Sequence, residues 1–383
     1  MYYTSYIELK KSALRNNIDF IREYIGPDIR ISSVIKGNAY GHGINEFVPM
    51  AQECGIGHFS VFSAWDALEA LKVTDSSTIM IMGFLDNQEL EWAIENEIEF
   101  YVFSMSRLKK VIDLSGRMNK KAGIHLDIET GMNRTGFLES ELEDVKRLIL
   151  DNSERIDLKG MCTHYSGAES IANHVRVKNQ YENFVRIYDD FVRSGIRPEY
   201  RHTASSAAAI CYPETRMDMI RVGILQYGFW PSMETYIYYL TNNDVKTNPL
   251  KRVICWKSRV MDVKSVKRGD FIGYNTSFLA PNDMKIATIP VGYSDGYSRS
   301  LSNHGRVLIN GCRASVIGLV SMNMLIADIT DVSRTSPGDE VVLIGTQKNR
   351  TISINAFSNF TTHDINYELL VRLSPHIPRF VKP

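Results

Sequence analysis

Over its first 230 residues the chain repeats one theme: a short apolar run, a polar turn, then a segment whose apolar positions recur at helical spacing. The apolar runs are Ile31–Ile35, His58–Phe62, Thr78–Gly83, Glu99–Phe103, Ala122–Ile128, Leu158–His164, Tyr200–Thr203 and Met219–Leu225. Helical patterns lie between them, among them Ala64–Lys72, Gln88–Asn96, Ser106–Leu114, Glu139–Leu150 and the long Asn173–Arg193. Strands alternating with helices at this spacing predict βαβ units and a parallel sheet. Eight such units fit a closed (β/α)8 barrel of the TIM type better than an open doubly wound sheet, and no run is followed by GxGxxG.

After Pro231 the pattern changes. Arg252–Val263, Met284–Val291, Arg306–Val320, Met324–Ile329 and Glu340–Ile344 are rich in β-formers. They are separated by the turn sequences Lys267-Arg268-Gly269-Asp270, Asn310-Gly311 and Ser336-Pro337-Gly338-Asp339 rather than by helices. This predicts a mainly antiparallel β domain, with the polar stretch Thr241–Pro249 as linker. The expected organisation is an α/β barrel over residues 1–235, followed by a β domain over residues 236–383. The extreme N-terminus is a candidate to join the latter.

Composition narrows the function classes. With 44 Lys+Arg against 44 Asp+Glu the formal net charge is zero, which argues against nucleic acid or an anionic membrane as the main partner. The five cysteines (Cys54, Cys162, Cys211, Cys255, Cys312) form no CxxC pair, so neither a metal site nor a disulfide framework is expected. A reducing cytoplasm is the expected location. The uncharged stretch Ala314–Ala327 falls short of the roughly 20 apolar residues that span a bilayer. A small molecule is the expected partner.

In such a barrel, chemistry gathers where the strands end on the C-terminal side. The polar residues there are Lys36; Asp127, Glu129 and Arg134; His164; His202 with Ser205-Ser206; and Arg221 with Gly223-Ile224. Lys36 stands in Val34-Ile35-Lys36-Gly37-Asn38-Ala39-Tyr40-Gly41-His42-Gly43. A lysine between an apolar strand and a Gly-rich turn is partly desolvated, which lowers its pKa and frees the amine for covalent chemistry with a carbonyl. The glycine density implies that the backbone approaches something closely.

This segment resembles the pyridoxal-phosphate lysine motif of bacterial alanine racemases, usually Val-x-Lys-Ala-Asn-Ala-Tyr-Gly-His-Gly. Further matches follow in the expected order: Gly131-Met132-Asn133-Arg134-Thr135-Gly136, Thr163-His164-Tyr165, Asp218-Met219-Ile220-Arg221-Val222-Gly223, Pro290-Val291-Gly292-Tyr293-Ser294-Asp295-Gly296-Tyr297, Ser321-Met322 and Asn366-Tyr367-Glu368. The resemblance runs from about Tyr6 to Phe380. It implies a pyridoxal-phosphate enzyme that interconverts L and D forms of small amino acids, supplying D-amino acids for peptidoglycan precursors. It also implies a homodimer with shared active sites.

The resemblance assigns roles. Lys36 would hold pyridoxal 5'-phosphate covalently and serve as base or acid on one face of the substrate. Tyr274, from the partner's β domain, would serve the other face, because racemisation removes a proton on one side and returns it on the other. A phenol is a weak proton acceptor at neutral pH unless neighbours lower its pKa, and His164, linked to Arg221, is the implied helper. Arg221 would face the pyridine nitrogen, oriented by His202; a guanidinium does not readily give up a proton, which restrains the ring as an electron sink. Tyr40, Ser206, Gly223, Ile224 and Tyr367 would hold the phosphate. Arg134, Tyr293, Met322 and residue 323 would meet the substrate.

Three departures from the family pattern stand out. The usual strand-five lysine, carbamylated in the family, is Asp127 in His125-Leu126-Asp127-Ile128-Glu129-Thr130-Gly131-Met132. Residues 125, 127 and 129 share one face of a strand, so Asp127 is expected to be a built-in charge partner of Arg134 and to make carbamylation unnecessary. Ser205-Ser206 replaces Asn-Ser. Ser321-Met322-Asn323 replaces Ser-Met-Asp, and an amide that donates and accepts suits a hydroxylated side chain. That last departure resembles the serine racemases of vancomycin-resistance systems, which carry an N-terminal membrane domain. It favours serine as a substrate beside alanine and raises the expectation that a membrane domain was trimmed from this chain. A housekeeping alanine racemase is the alternative. A non-catalytic pyridoxal-phosphate carrier and a fold-related decarboxylase are remote rivals.

Overall fold

The computed structural model describes residues 3–244, 246–354 and 367–383. Val245, inside the expected linker, and Asn366, of the Asn366-Tyr367-Glu368 motif, lie outside them. The chain divides into two compact units: Ala13–Lys36 with Val48–Lys251, and Met1–Ser12 with Gly37–Phe47 and Arg252–Pro383.

The first unit is the expected barrel. Its strands are β2 (Arg30–Val34), β3 (His58–Val61), β4 (Thr78–Ile81), β5 (Glu99–Val102), β6 (Ala122–Asp127), β7 (Ile156–Cys162), β8 (Tyr200–His202) and β9 (Met219–Val222). All pair in parallel, in the order β8-β7-β6-β5-β4-β3-β2-β9. The gap between β8 and β9 is nearly closed: Ser205 bridges Arg221, and the Arg221 N–H donates to Ala204 O at 3.0 Å. Below that bridge Arg201 forks onto Asp218, with Nε and Nη2 at 2.8 and 2.9 Å from the two carboxylate oxygens. The outer helices include α1 (Lys11–Ile25), α7 (His174–Arg193) and α9 (Met233–Asn242). On α1, Leu14, Ile18, Ile21 and Ile25 recur every three or four residues and are all buried.

The interior of this barrel is not the usual stack of branched apolar side chains. Ser32, His58, Ser60, His125, Asp127, His202 and Arg221 are buried in it. Each such group must find a partner, because an unpaired buried polar atom costs about 1–3 kcal/mol.

The second unit is the expected mainly antiparallel sheet, ordered β11-β12-β15-β14-β13-β16-β10-β1-β18 with β17 beside β16. Its strands are β1 (Ser5–Lys10), β10 (Ile254–Arg259), β11 (Asp262–Val266), β12 (Met284–Ile289), β13 (Arg306–Ile309), β14 (Cys312–Ile317), β15 (Leu325–Asp328), β16 (Glu340–Gln347), β17 (Arg350–Ile352) and β18 (Arg379–Lys382). β1 pairs antiparallel with β10, Ile7 opposite Trp256, and parallel with β18. Asn310 and Gly311, at φ 53° and 81°, form the two-residue turn between β13 and β14.

The expected domain boundary moves. The units divide at Lys251/Arg252 rather than at 235/236, and α9 occupies the start of the expected linker. Ser232 caps α9 by accepting from the Thr235 N–H at 3.1 Å, and Thr235 and Tyr239 are buried one turn apart. Among the described residues no helix is long and apolar enough to cross a membrane.

Candidate active site

Lys36 follows β2 directly, with Ile35 tied to β3 by its N–H to Ser60 O at 2.9 Å. The side chain keeps solvent-accessible area, yet the protein packed around it and the charges of Arg134 and Arg221 hold its pKa below the usual lysine value. A larger share of neutral amine is available as nucleophile or base.

The residues after Lys36 make a rare turn. Gly37, Asn38 and Ala39 lie at φ 62°, 54° and 52° with ψ near 50°, and Tyr40 follows at φ 52°. Left-handed backbone costs a non-glycine residue roughly 1–2 kcal/mol, so the turn has to be held from outside. Gly43 N–H donates to Asn38 O at 2.9 Å, Ile44 N–H to Asn38 Oδ1 at 3.0 Å, and Arg379 Nη2 to Gly41 O at 2.9 Å. The Tyr40 ring is buried and meets Tyr367 edge-on, centroids 5.7 Å apart. Burial pushes its hydroxyl pKa up, so it remains a donor.

Arg221 on β9 is fully engaged at its two terminal nitrogens. Nη1 donates to His202 O (2.7 Å), His202 Nδ1 (2.8 Å) and the Tyr101 hydroxyl (3.0 Å), and Nη2 to the carbonyls of Thr163 (2.8 Å) and Thr203 (3.2 Å). Nε takes none of these contacts. Two residues on, the Gly223 N–H donates to Ser206 Oγ at 3.0 Å, and Ile224 opens a short 3-10 turn. Ser205 is the N-cap of α8 (Ser206–Cys211), and its side chain makes no capping bond there.

Two expected contacts are absent among the described residues. His164 does not hydrogen-bond Arg221, whose terminal nitrogens are spent on carbonyls, His202 and Tyr101; the two interact only through space. Burial, then Arg221, Arg134 and Lys36, push the His164 pKa down to about 3. Asp127 does not ion-pair with Arg134. It accepts from Thr135 Oγ1 at 2.8 Å, and burial raises its pKa against the opposing pull of Thr135, Arg221 and Arg134. Arg134 is exposed, with its backbone N–H held by Glu129 Oε2 at 3.3 Å, which leaves the guanidinium open for an incoming anion.

Within the second unit, Tyr274, Asn275, Tyr293, Arg299, Met322 and Asn323 line an open hollow of about 400 Å³. Tyr274 and Met322 are 66 % and 56 % exposed. The Asn323 amide donates to Ser294 Oγ at 2.9 Å, and Ser294 Oγ donates to Met322 O at 2.8 Å. The structure thus gathers Tyr274, Tyr293, Met322 and Asn323 in one hollow, sets Tyr40 against Tyr367, and leaves the other barrel candidates at one set of strand ends. Tyr101, a direct partner of Arg221, gave no signal in the sequence beyond its place inside an apolar run. Among the described residues no group of three or more His, Cys, Asp or Glu is placed to hold a metal ion.

Buried neutral histidines give the fold a pH signature. Burial holds His42 and His164 near pKa 3 and lowers His58 and His202. Below their unfolded value of about 6.5 the unfolded chain binds protons that the folded chain refuses, so stability falls as pH drops. Each such group removes up to about 1.4 kcal/mol per pH unit. The urea midpoint is expected to fall steeply between pH 7 and 5; a flat profile would contradict neutral burial.

Within the barrel unit the donor set fits pyridoxal phosphate: an amine of lowered pKa, an arginine whose Nε makes no hydrogen bond among the described residues, and the Ser206 hydroxyl tied to the Gly223 amide. Comparison with known proteins agrees. Residues 9–231 match the family "Alanine racemase, N-terminal domain" and residues 253–381 match "Alanine racemase, C-terminal domain". The alanine racemase of Leptospira interrogans is 33 % identical over 382 residues, covering 99 % of this chain and 96 % of that protein. That of Methanococcus maripaludis is 32 % identical, covering 97 % of each. The solved alanine racemase of Clostridium difficile superposes with TM-score 0.91 at 27 % identity, over 100 % of this chain and 96 % of that one. The Bacillus anthracis enzyme with bound L-Ala-P gives 0.91 at 28 %, with the same coverage.

Proposed function

The chain belongs to the alanine racemase family of pyridoxal-phosphate-dependent amino-acid racemases, and on that premise we propose that alanine is its substrate. The observation that carries the reading is the Lys36 amine, lowered in pKa beside Arg134 and Arg221. When bound, the cofactor supplies an electron sink for the carbanion formed at the substrate's α-carbon. Lys36 would hold it and move the proton on one face. Arg221 would face the ring nitrogen and, as a guanidinium, would stay a cation. Ser206, the Ile224 amide, Tyr40 and Tyr367 would hold the phosphate, with the Gly223 N–H holding the Ser206 hydroxyl in place. Arg134 takes the substrate carboxylate. Tyr274 of a second copy moves the proton on the opposite face, with Tyr293, Met322 and Asn323 beside it, so the working unit is a homodimer.

Serine is the second reading, and it rests on Asn323. Two observations favour alanine. The relatives that span nearly the whole chain carry the alanine name, and one of the two Asn323 amide N–H groups is already engaged by Ser294. The test is D-amino-acid formation from L-Ala and L-Ser. Wild type is expected to favour L-Ala in kcat/KM by about tenfold or more, the modest factor by which a site discriminates against one added hydroxyl. Asn323→Asp is expected to leave that ratio within about threefold, because Ser294 can turn its hydroxyl proton from the Met322 carbonyl to the new carboxylate. Equal or better turnover of L-Ser, lost on Asn323→Asp, would make serine the substrate.

A further inference from the structure

A line of hydrogen bonds crosses the barrel interior and is used by none of these roles. It runs from Arg221 Nη1 to His202 Nδ1, from His202 Nε2 to His125 Nδ1, and from His125 Nε2 to Glu99 Oε2, each step 2.8 Å. Chemistry at the two ends sets its direction. A guanidinium only donates, so His202 Nδ1 accepts and its proton sits on Nε2. That proton goes to His125 Nδ1, which puts the His125 proton on Nε2, facing an ionised carboxylate. Every proton in the line points from Arg221 toward Glu99.

The surrounding backbone is shaped around this line. The β6–β7 register shifts between Ile124 and His125, which re-aims the His125 ring. Opposite it stands Gly160, where a Cβ would lie 2.2 Å from His125 Nδ1 and 2.8 Å from His202 Nε2. Glu99 is held at its far end as well: His58 Nε2 lies 3.5 Å from the same Oε2, and His58 Nδ1 is 2.8 Å from Ser32 Oγ. Burial works against the Glu99 carboxylate, yet its bonds to His125 and His58 hold it well below the usual carboxylate range. His58, His125 and His202 are at most 1 % exposed, so no water competes for the ring nitrogens.

We propose that Glu99 is a positioning residue for Arg221: through His125 and His202 it fixes one tautomer of each imidazole, so that Arg221 meets a lone pair and not an N–H. In the opposite tautomer the His202 Nδ1–H would face the guanidinium donor to donor, and Arg221 would be pushed off the Thr163 and His202 carbonyls. The consequence for catalysis rests on Arg221 facing the cofactor ring; the tautomers do not rest on it.

The experiment is imidazole ¹⁵N spectroscopy of the histidine-labelled holoenzyme at pH 7.5. His125 and His202 are expected to be neutral, each with a protonated Nε2 and a bare Nδ1. An Nδ1–H or an imidazolium on either residue overturns the proposal, whatever the substrate proves to be. Glu99→Leu removes the acceptor, and Gly160→Ala wedges the two rings apart. Both are expected to bring in Nδ1–H signals and to lower kcat about tenfold, with KM for L-Ala within about twofold. Glu99→Gln, whose carbonyl still accepts, is expected to restore the wild-type spectrum and most of the lost kcat. Unchanged tautomers and kcat in Glu99→Leu overturn the proposal. Should that variant fail to fold, the wild-type spectrum decides. Correct tautomers in a protein that racemises no amino acid would count against the function proposed above and not against the line.

Discussion

Lys36→Ala is expected to eliminate two signals together: D-alanine formation from L-Ala and the visible absorbance of the bound cofactor. Losing a positioned base costs about 10²- to 10⁴-fold by itself. In the proposed role the same amine is also the covalent anchor, so the two losses would compound. The neighbours explain why no other group substitutes. Arg134 and Arg221 are permanent cations and cannot accept a proton at working pH. Burial and the three surrounding cations leave His164 near pKa 3, a very weak base. Methylamine added to the variant is expected to restore part of the activity, since the amine can enter the cavity left by the side chain and supply the missing base. Retention of both the absorbance and more than about a tenth of the activity would remove Lys36 from its role.

Gly41→Ala is expected to have a large effect on stability for a single added methyl. Gly41 has φ +78°, and a Cβ there would lie 1.8 Å from the carbonyl oxygen of Leu370 in α10 (Glu368–Val371). The left-handed conformation costs an alanine about 1–2 kcal/mol. Backbone cannot yield to the clash as a flexible side chain would, so the total is expected to exceed about 3 kcal/mol. Gly26→Ala is the control: φ is +105°, but nothing lies within 4 Å of the added methyl. Urea unfolding of the two variants separates conformation from contact. Equal losses would mean that the Gly41–Leu370 approach is looser than described. The same substitution bears on the site, because Gly41 ends the left-handed turn that carries Tyr40.

Several features were legible in the sequence for a simple reason: each is set by local pattern. Apolar runs followed by helical spacing gave a parallel barrel, and turn pairs such as Asn310-Gly311 gave an antiparallel sheet. The helix α9 was not legible, because Tyr236–Leu240 is aromatic and β-branched and its capping Ser232 sits beside a proline that reads as a break. Asp127 shows a different failure. Strand alternation gives the side on which its carboxylate emerges, but not that Thr135, eight residues on, would reach it before Arg134. His164 fails likewise: its sequence position says nothing of how many carbonyls compete for Arg221.

Glu99 and His58 were invisible for the opposite reason. Each opens an apolar run, and a polar residue at a run's edge reads as its boundary. Only closure of the sheet turns those edges into the barrel interior and brings them beside His125, which lies 26 residues from Glu99 and 77 from His202. The sequence by itself determined the elements, their order and the chemistry available, because propensity and periodicity act between near neighbours. The tertiary structure alone decided which donor meets which acceptor, because hydrogen bonds are fixed by a few tenths of an ångström between strands that no local pattern aligns.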